Sequence, residues 1–156
     1  MMETGYNGIK LVQHYESCRL EAYADSVGVW TIGWGNIHYE DGTPVKRGDT
    51  ITQDRADKLF KYILSDVEDE LNYLLAGVNL KQYQFDALVS FSYNEGIGNF
   101  RGSTLLKKID VNPNDPTVPD EFLRWIYAGG KKVNGLAYRR RSEAYLYVSG
   151  ELKFYN

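Results

Sequence analysis

Cysteine occurs once in the 156 residues, at Cys18. No internal disulfide is available, so the fold does not depend on an oxidising compartment. No local sequence element activates that thiol, and Cys18 is expected to pack rather than to act as a nucleophile. Histidine is nearly as scarce. His14 and His38 are the only two, and no cysteine–histidine spacing of a zinc site exists. A glycine-rich phosphate loop and a dinucleotide fingerprint are also missing, so no cofactor and no metal is expected. No apolar run reaches membrane-spanning length. The first sixteen residues have neither the basic start nor the apolar stretch of a signal peptide, which leads us to expect synthesis in the cytosol and no stable membrane insertion. Excess positive charge is lacking too. The net charge of −3 argues against a nucleic-acid partner, which usually meets a basic domain. There are no internal repeats and no low-complexity linker, and nothing points to an obligate oligomer; a monomer is expected.

What is present is a chain long enough for a sizeable core, expected to form a single domain pinched into two lobes. Aromatic residues are plentiful, with thirteen tyrosines and three tryptophans. Flat rings beyond those a core needs line sugar or interface grooves, because they pack on flat apolar faces.

The periodicities give an α+β chain. Residues 5–17 read as a short helix with Ile9, Leu11, Val12 and Tyr15 on its buried side. "GVWTIGWGN" is β-branched and aromatic with glycine punctuation, and "YEDGTPVKRGD" holds turn signals at Asp41-Gly42 and Gly48-Asp49. A small antiparallel sheet is expected over 22–50. Thr52 then caps a long amphipathic helix, to about residue 75, with Ala56, Leu59, Phe60, Ile63, Val67, Leu71 and Leu74 recurring every three or four residues. Its acidic residues Asp66, Glu68, Asp69 and Glu70 read as a solvated face. The rest reads as helical: one helix ending at Gly96, "STLLKKI", a proline-rich loop opening "DEFLRWIYAGG", and a last helix closing on Gly150. A β lobe over about 18–52, a connecting helix over 52–75 and a helical lobe over 76–156, joined by the N-terminal helix, are expected.

The chemistry sits in "HYESCRLEAYADSVGVWTIGWGN". Glu16 follows Tyr15 at the end of an amphipathic helix, and Asp25 lies in the polar turn "YADSVG". Glycosidic cleavage needs one acid to protonate the leaving oxygen and a second group to activate water or attack. An apolar setting for Glu16 and a polar one for Asp25 suits such a pair. Thr31 is placed to hold the water, although a β-branched residue in a strand needs no such role.

The spacing E-x8-D-x5-T, filled by Glu16, Asp25 and Thr31, together with "GVWTIGWGN", resembles the phage-type lysozymes of glycoside hydrolase family 24. "VKRGDTIT", "FSYNEGIGNFRGSTLLKKI" and "RWIYAGGKKVNGLAYRRRSEAYLY" resemble further family segments in the same order, so the likeness covers nearly the whole chain. It implies a two-lobed lysozyme-like fold, a small β lobe joined by a long helix to a helical lobe, with the glycan between the lobes. It implies an endolysin: a muramidase that cuts the β-1,4 bond between N-acetylmuramic acid and N-acetylglucosamine in peptidoglycan, held in the host cytoplasm until release to the wall. Glu16 maps to the general acid, Asp25 to the carboxylate that helps activate water, and Thr31 to the hydroxyl that positions it. The family inverts the anomeric centre, which calls for carboxyls roughly 6.5–9.5 Å apart.

Groove positions carry over from the same resemblance. They are Ile37, Tyr93, Asn94, Ser103, Trp125 and Arg139. Ser103 serves equally as a helix cap, Trp125 as a core anchor, and Arg139 as part of a solvated "RRR" face. The sequence departs from the family at Asn36, where a histidine is common. Two other readings stand beside the muramidase: a lytic transglycosylase, which has no use for a water-activating pair, and a glycan-binding protein without catalysis.

Overall fold

Apolar residues on one side of the segment after Gly5 make an amphipathic helix, α1 (Tyr6–Glu16), with Leu11 and Val12 fully buried. The buried Asp86 carboxylate accepts the Gly5 N–H at 2.8 Å, which places negative charge at the positive end of α1. The helix stops at Ser17, whose φ of 58° is left-handed and whose N–H closes on the Gln13 carbonyl at 3.0 Å. The computed structural model describes all 156 residues. After α1 come β1 (Arg19–Ala24), β2 (Trp30–Gly33) and α2 (Gln53–Leu74). Then follow α3 (Gln82–Glu95), α4 (Ile97–Arg101), α5 (Thr104–Val111), α6 (Val118–Phe122), β3 (Tyr127–Ala128), β4 (Lys131–Lys132) and α7 (Asn134–Ser149). The class is α+β, with small antiparallel sheets among helices. Contacts divide the chain into two compact units, Gln13–Asp66 and Met1–Val12 with Val67–Asn156.

In the first unit β1 and β2 form an antiparallel hairpin in which Tyr23 faces Thr31 and Ala24 faces Trp30. The segment after β2 is tied by isolated bridges, Ile32 to Asn36, His38 to Pro44 and Glu21 to Thr50. Asp41 closes its turn by accepting the Thr43 N–H at 2.9 Å. Thr52 caps α2, its hydroxyl accepting the Arg55 N–H at 3.1 Å. The stripe buried along α2 is Ala56, Leu59, Phe60, Leu64, Val67 and Leu71, continuing to Leu75 beyond its end. Ile63 and Leu74, expected in that stripe, are half-buried. The 22 residues of α2 span about 33 Å at 1.5 Å per residue.

The helical unit is organised on α3, where every residue from Gln84 to Ser92 is buried. A helix buried on all sides carries little amphipathic signal. Phe91 meets Phe122 and Trp125 edge to face, with centroids 5.7 and 5.6 Å apart, and Phe100 at 6.1 Å. Full burial of one such ring stabilises by about 1.5–3 kcal/mol. α7 packs against α3 and ends on Gly150, left-handed at φ 75°.

The stretch expected to be helical before α7 is mostly not. After the five residues of α6 the chain turns into the β3–β4 hairpin. Gly129 and Gly130 have φ of 58° and 79°, and two consecutive positive φ values are what a two-residue hairpin turn requires. The Gly-Gly pair was the available signal for a hairpin.

Candidate active site

Glu16 is the last residue of α1 and is half-buried. The Gly35 backbone, left-handed at φ 82°, packs so closely on the Glu16 carboxyl that a Cβ there would land on it. Glycine is required at position 35 for both reasons. The neighbouring turn is closed by Asn36, whose backbone exchanges two hydrogen bonds with Ile32 and whose side-chain oxygen accepts the Trp34 N–H at 3.2 Å. The buried Asn36 thus stabilises the turn that carries Gly35.

Asp25 stands at the hairpin turn. Its N–H donates to the Val29 carbonyl at 2.9 Å, while its Oδ1 accepts the N–H of Val27 at 3.0 Å and of Val29 at 2.8 Å. One carboxylate oxygen is therefore committed to the turn and the other is available. Thr31 is buried, at 4% exposure, and its hydroxyl donates to the Val29 carbonyl at 2.9 Å. Its only proton is spent there, so the oxygen is left as an acceptor. Directly opposed residues of an antiparallel pair share a face, so Tyr23 and Thr31 do. Val29 ties Asp25 to Thr31: its N–H donates to the Asp25 carboxylate and its carbonyl accepts from the Thr31 hydroxyl.

Tyr23 links this face to Glu16. Burial pushes its phenol pKa up, the negative charges of Glu16 and then Asp25 act in the same direction, and Arg19 between them in strength opposes. Both carboxyls therefore lie within electrostatic range of one hydroxyl. Cys18 is half-buried near the Gln53 side chain at 3.8 Å, and burial raises its thiol pKa, the reverse of nucleophile activation.

The proposed groove residues divide between the units. Ile37, in the unit of Glu16, Asp25 and Thr31, is 44% exposed. The other five lie in the helical unit. Tyr93 and Asn94 are half-buried in the last turn of α3, and the Asn94 Oδ1 is enclosed without a hydrogen-bond partner. Ser103 caps α5: its buried hydroxyl accepts the Leu106 N–H at 3.1 Å and donates to the Phe100 carbonyl at 2.7 Å. Trp125 is half-buried against Phe91. Arg139 is buried, not part of a solvated face, with its guanidinium 3.3 Å from Glu143 and 3.2 Å from the Ser90 carbonyl. No cluster of three or more His, Cys, Asp or Glu side chains is arranged to hold a metal ion.

The phage lysozyme family model matches residues 13–143. The chain belongs to the phage lysozyme family. It is a lysozyme-type enzyme domain, of the class that hydrolyses glycosidic bonds. The endolysin of Salmonella phage P22 is 41% identical over 149 residues, covering 96% of this chain and 100% of that one. The endolysin of Bacillus phage B103 is 38% identical over 154 residues, covering 97% of this chain but 56% of its own, so the phage lysozyme domain here spans a little over half of that relative. The solved endolysin from Escherichia coli O157:H7 phage FAHEc1 superposes with a TM-score of 0.81 at 37% identity, covering 97% of both chains. No helix is long and apolar enough to cross a membrane.

Proposed function

We propose that this phage lysozyme is an endolysin that hydrolyses the β-1,4 bond between N-acetylmuramic acid and N-acetylglucosamine in peptidoglycan, inverting the anomeric carbon. The observation that carries the reading is that Asp25 and Thr31 are both tied to Val29 in the hairpin, with Glu16 in range of Tyr23 opposite Thr31. Glu16 is the general acid and gives its proton to the departing glycosidic oxygen. A water on the opposite side of the sugar donates one hydrogen to the Thr31 oxygen, whose own proton is held by Val29, and the other to the free oxygen of Asp25. Its lone pair then faces the anomeric carbon, and Asp25 takes the proton as the new bond forms. Ile37, Tyr93, Asn94 and Trp125 are proposed to meet the glycan and Ser103 to hold its helix and border the groove, while Arg139, buried against Glu143 and the Ser90 carbonyl, supports the groove without reaching the sugar. The enzyme acts as a monomer without cofactor and stays in the host cytoplasm until it reaches the wall.

Mass analysis of fragments released from purified peptidoglycan tests this. Products with free reducing ends at muramic acid are expected. A 1,6-anhydro ring indicates a lytic transglycosylase instead, and an intact polymer indicates a binding protein.

A further inference from the structure

Arg19 and Tyr23 were singled out neither by the motif nor by the groove positions, yet they lie beside the three proposed catalytic groups. Tyr23 is directly opposite Thr31 in the hairpin, so its side chain leaves the face that carries Thr31, and it lies two residues before Asp25. The ring is half-buried. Arg19, exposed and four residues earlier across an irregularity in the strand, sets its guanidinium over that ring at 4.5 Å from the centroid. This is a cation–π contact. The Tyr23 hydroxyl has Glu16 and Asp25 in electrostatic range and no hydrogen bond from the protein. A tyrosine hydroxyl on a half-buried ring with no protein partner is open to solvent and to a ligand.

We propose that Tyr23 is a substrate-binding residue, presenting its hydroxyl to the sugar that bridges Glu16 and Asp25, and that Arg19 is a positioning residue that fixes its ring. The inference rests on the glycan-cleaving reading of the same site. The phenol stays protonated there, because burial and two carboxyls all oppose its ionisation. It therefore has a hydrogen to donate to a hydroxyl, ring or N-acetyl oxygen of the sugar, and two lone pairs to accept with. Glu16 and Asp25 are reserved for proton transfer, so a neutral donor between them orients the sugar without competing for the reacting proton.

The test is the affinity of tetra-N-acetylchitotetraose, by calorimetry, for Glu16→Gln and for Glu16→Gln/Tyr23→Phe. This separates the inference from the reaction, because neither protein needs to turn over. Tyr23→Phe keeps the ring and the Arg19 contact, so thermal stability should match the parent while binding weakens about three- to tenfold, the effect of one lost hydrogen bond. Adding Arg19→Gln should weaken binding when Tyr23 is present and have no further effect in the Tyr23→Phe background. Equal affinity with and without the hydroxyl, or no binding by either protein, overturns the role of Tyr23. An Arg19→Gln effect of the same size in both backgrounds overturns the positioning role of Arg19. Failure of the glycan-cleaving reading shows separately, as an absence of new reducing ends from peptidoglycan treated with the unmodified enzyme.

Discussion

The two units handle buried charge in opposite ways. In the helical unit Arg140 and Glu143 are fully buried and approach to 2.6 Å, Arg140 also reaches Glu95 at 2.7 Å, and the Ser90 hydroxyl donates to Glu143 at 2.5 Å. The unit of residues 13–66 has no comparable cluster. Its polar groups at Asp25 and Thr31 are tied to backbone on one side only, which leaves an oxygen of each open. A closed network serves structure, whereas a group with an uncommitted oxygen is open to chemistry. Substitutions at the hairpin should therefore cost activity before stability, and substitutions in the cluster the reverse.

Glu16→Gln breaks this comparison most sharply if it is wrong. The amide is nearly isosteric but delivers no proton, so turnover should fall about 10²–10⁴-fold with thermal stability unchanged. Steady-state release of reducing ends, with a melting curve on the same sample, checks both halves. A large loss of stability would place Glu16 among the structural groups.

Glu143→Ala addresses the other unit. It leaves Arg139 and Arg140 buried without their carboxylate, and truncating one partner of such a pair costs about 3–5 kcal/mol. Urea unfolding should show that shift of midpoint. Stability close to the parent's would mean that water or Glu95 replaces the lost charge.

Ser103→Ala tests a residue claimed by both roles. Loss of its cap on α5 should cost about 0.5–2 kcal/mol, with KM for soluble peptidoglycan fragments unchanged. A rise in KM without loss of stability would make it a sugar contact rather than a cap.

The smallest effect belongs to Asp49. The N–H of Lys46, and then the Tyr39 hydroxyl, hold its carboxyl below its ordinary 3.8, while burial foremost, with the Asp49 hydrogen bond, raises the phenol of Tyr39 to about 12. A depressed carboxyl stabilises the fold above the unfolded value and loses that contribution as pH falls through the folded one. Asp49→Asn should therefore lower stability near neutral pH and flatten the decline below pH 3.8, as followed by thermal melts across the acid range.

Much of this contrast was legible in the sequence, for identifiable reasons. α1 and α2 announce themselves because each has one wet side, and the hairpin because glycine punctuates β-branched residues. α7 hides its most important feature. Arg139 and Arg140 look like a solvated basic run, and only Glu143, three and four residues on, hints that a carboxylate is buried with them. The β3–β4 hairpin was missed because its strands are two residues long, too short for alternation to register. At the proposed site, Glu16, Asp25 and Thr31 are proposed from their spacing together with the family resemblance, whereas nothing in the motif points to Tyr23, two residues before Asp25. Gly35 gave no sign of its contact, since close approach to a carboxyl leaves no mark on the local pattern.

The central claim is that Asp25 and Thr31 hold a water opposite the proton delivered by Glu16. Proton NMR of the first product released from peptidoglycan fragments, recorded before mutarotation, tests it most directly. Single displacement by that water predicts the α-anomer at the new reducing end. The β-anomer as first product would show retention, and would contradict the assignment of the hairpin to water.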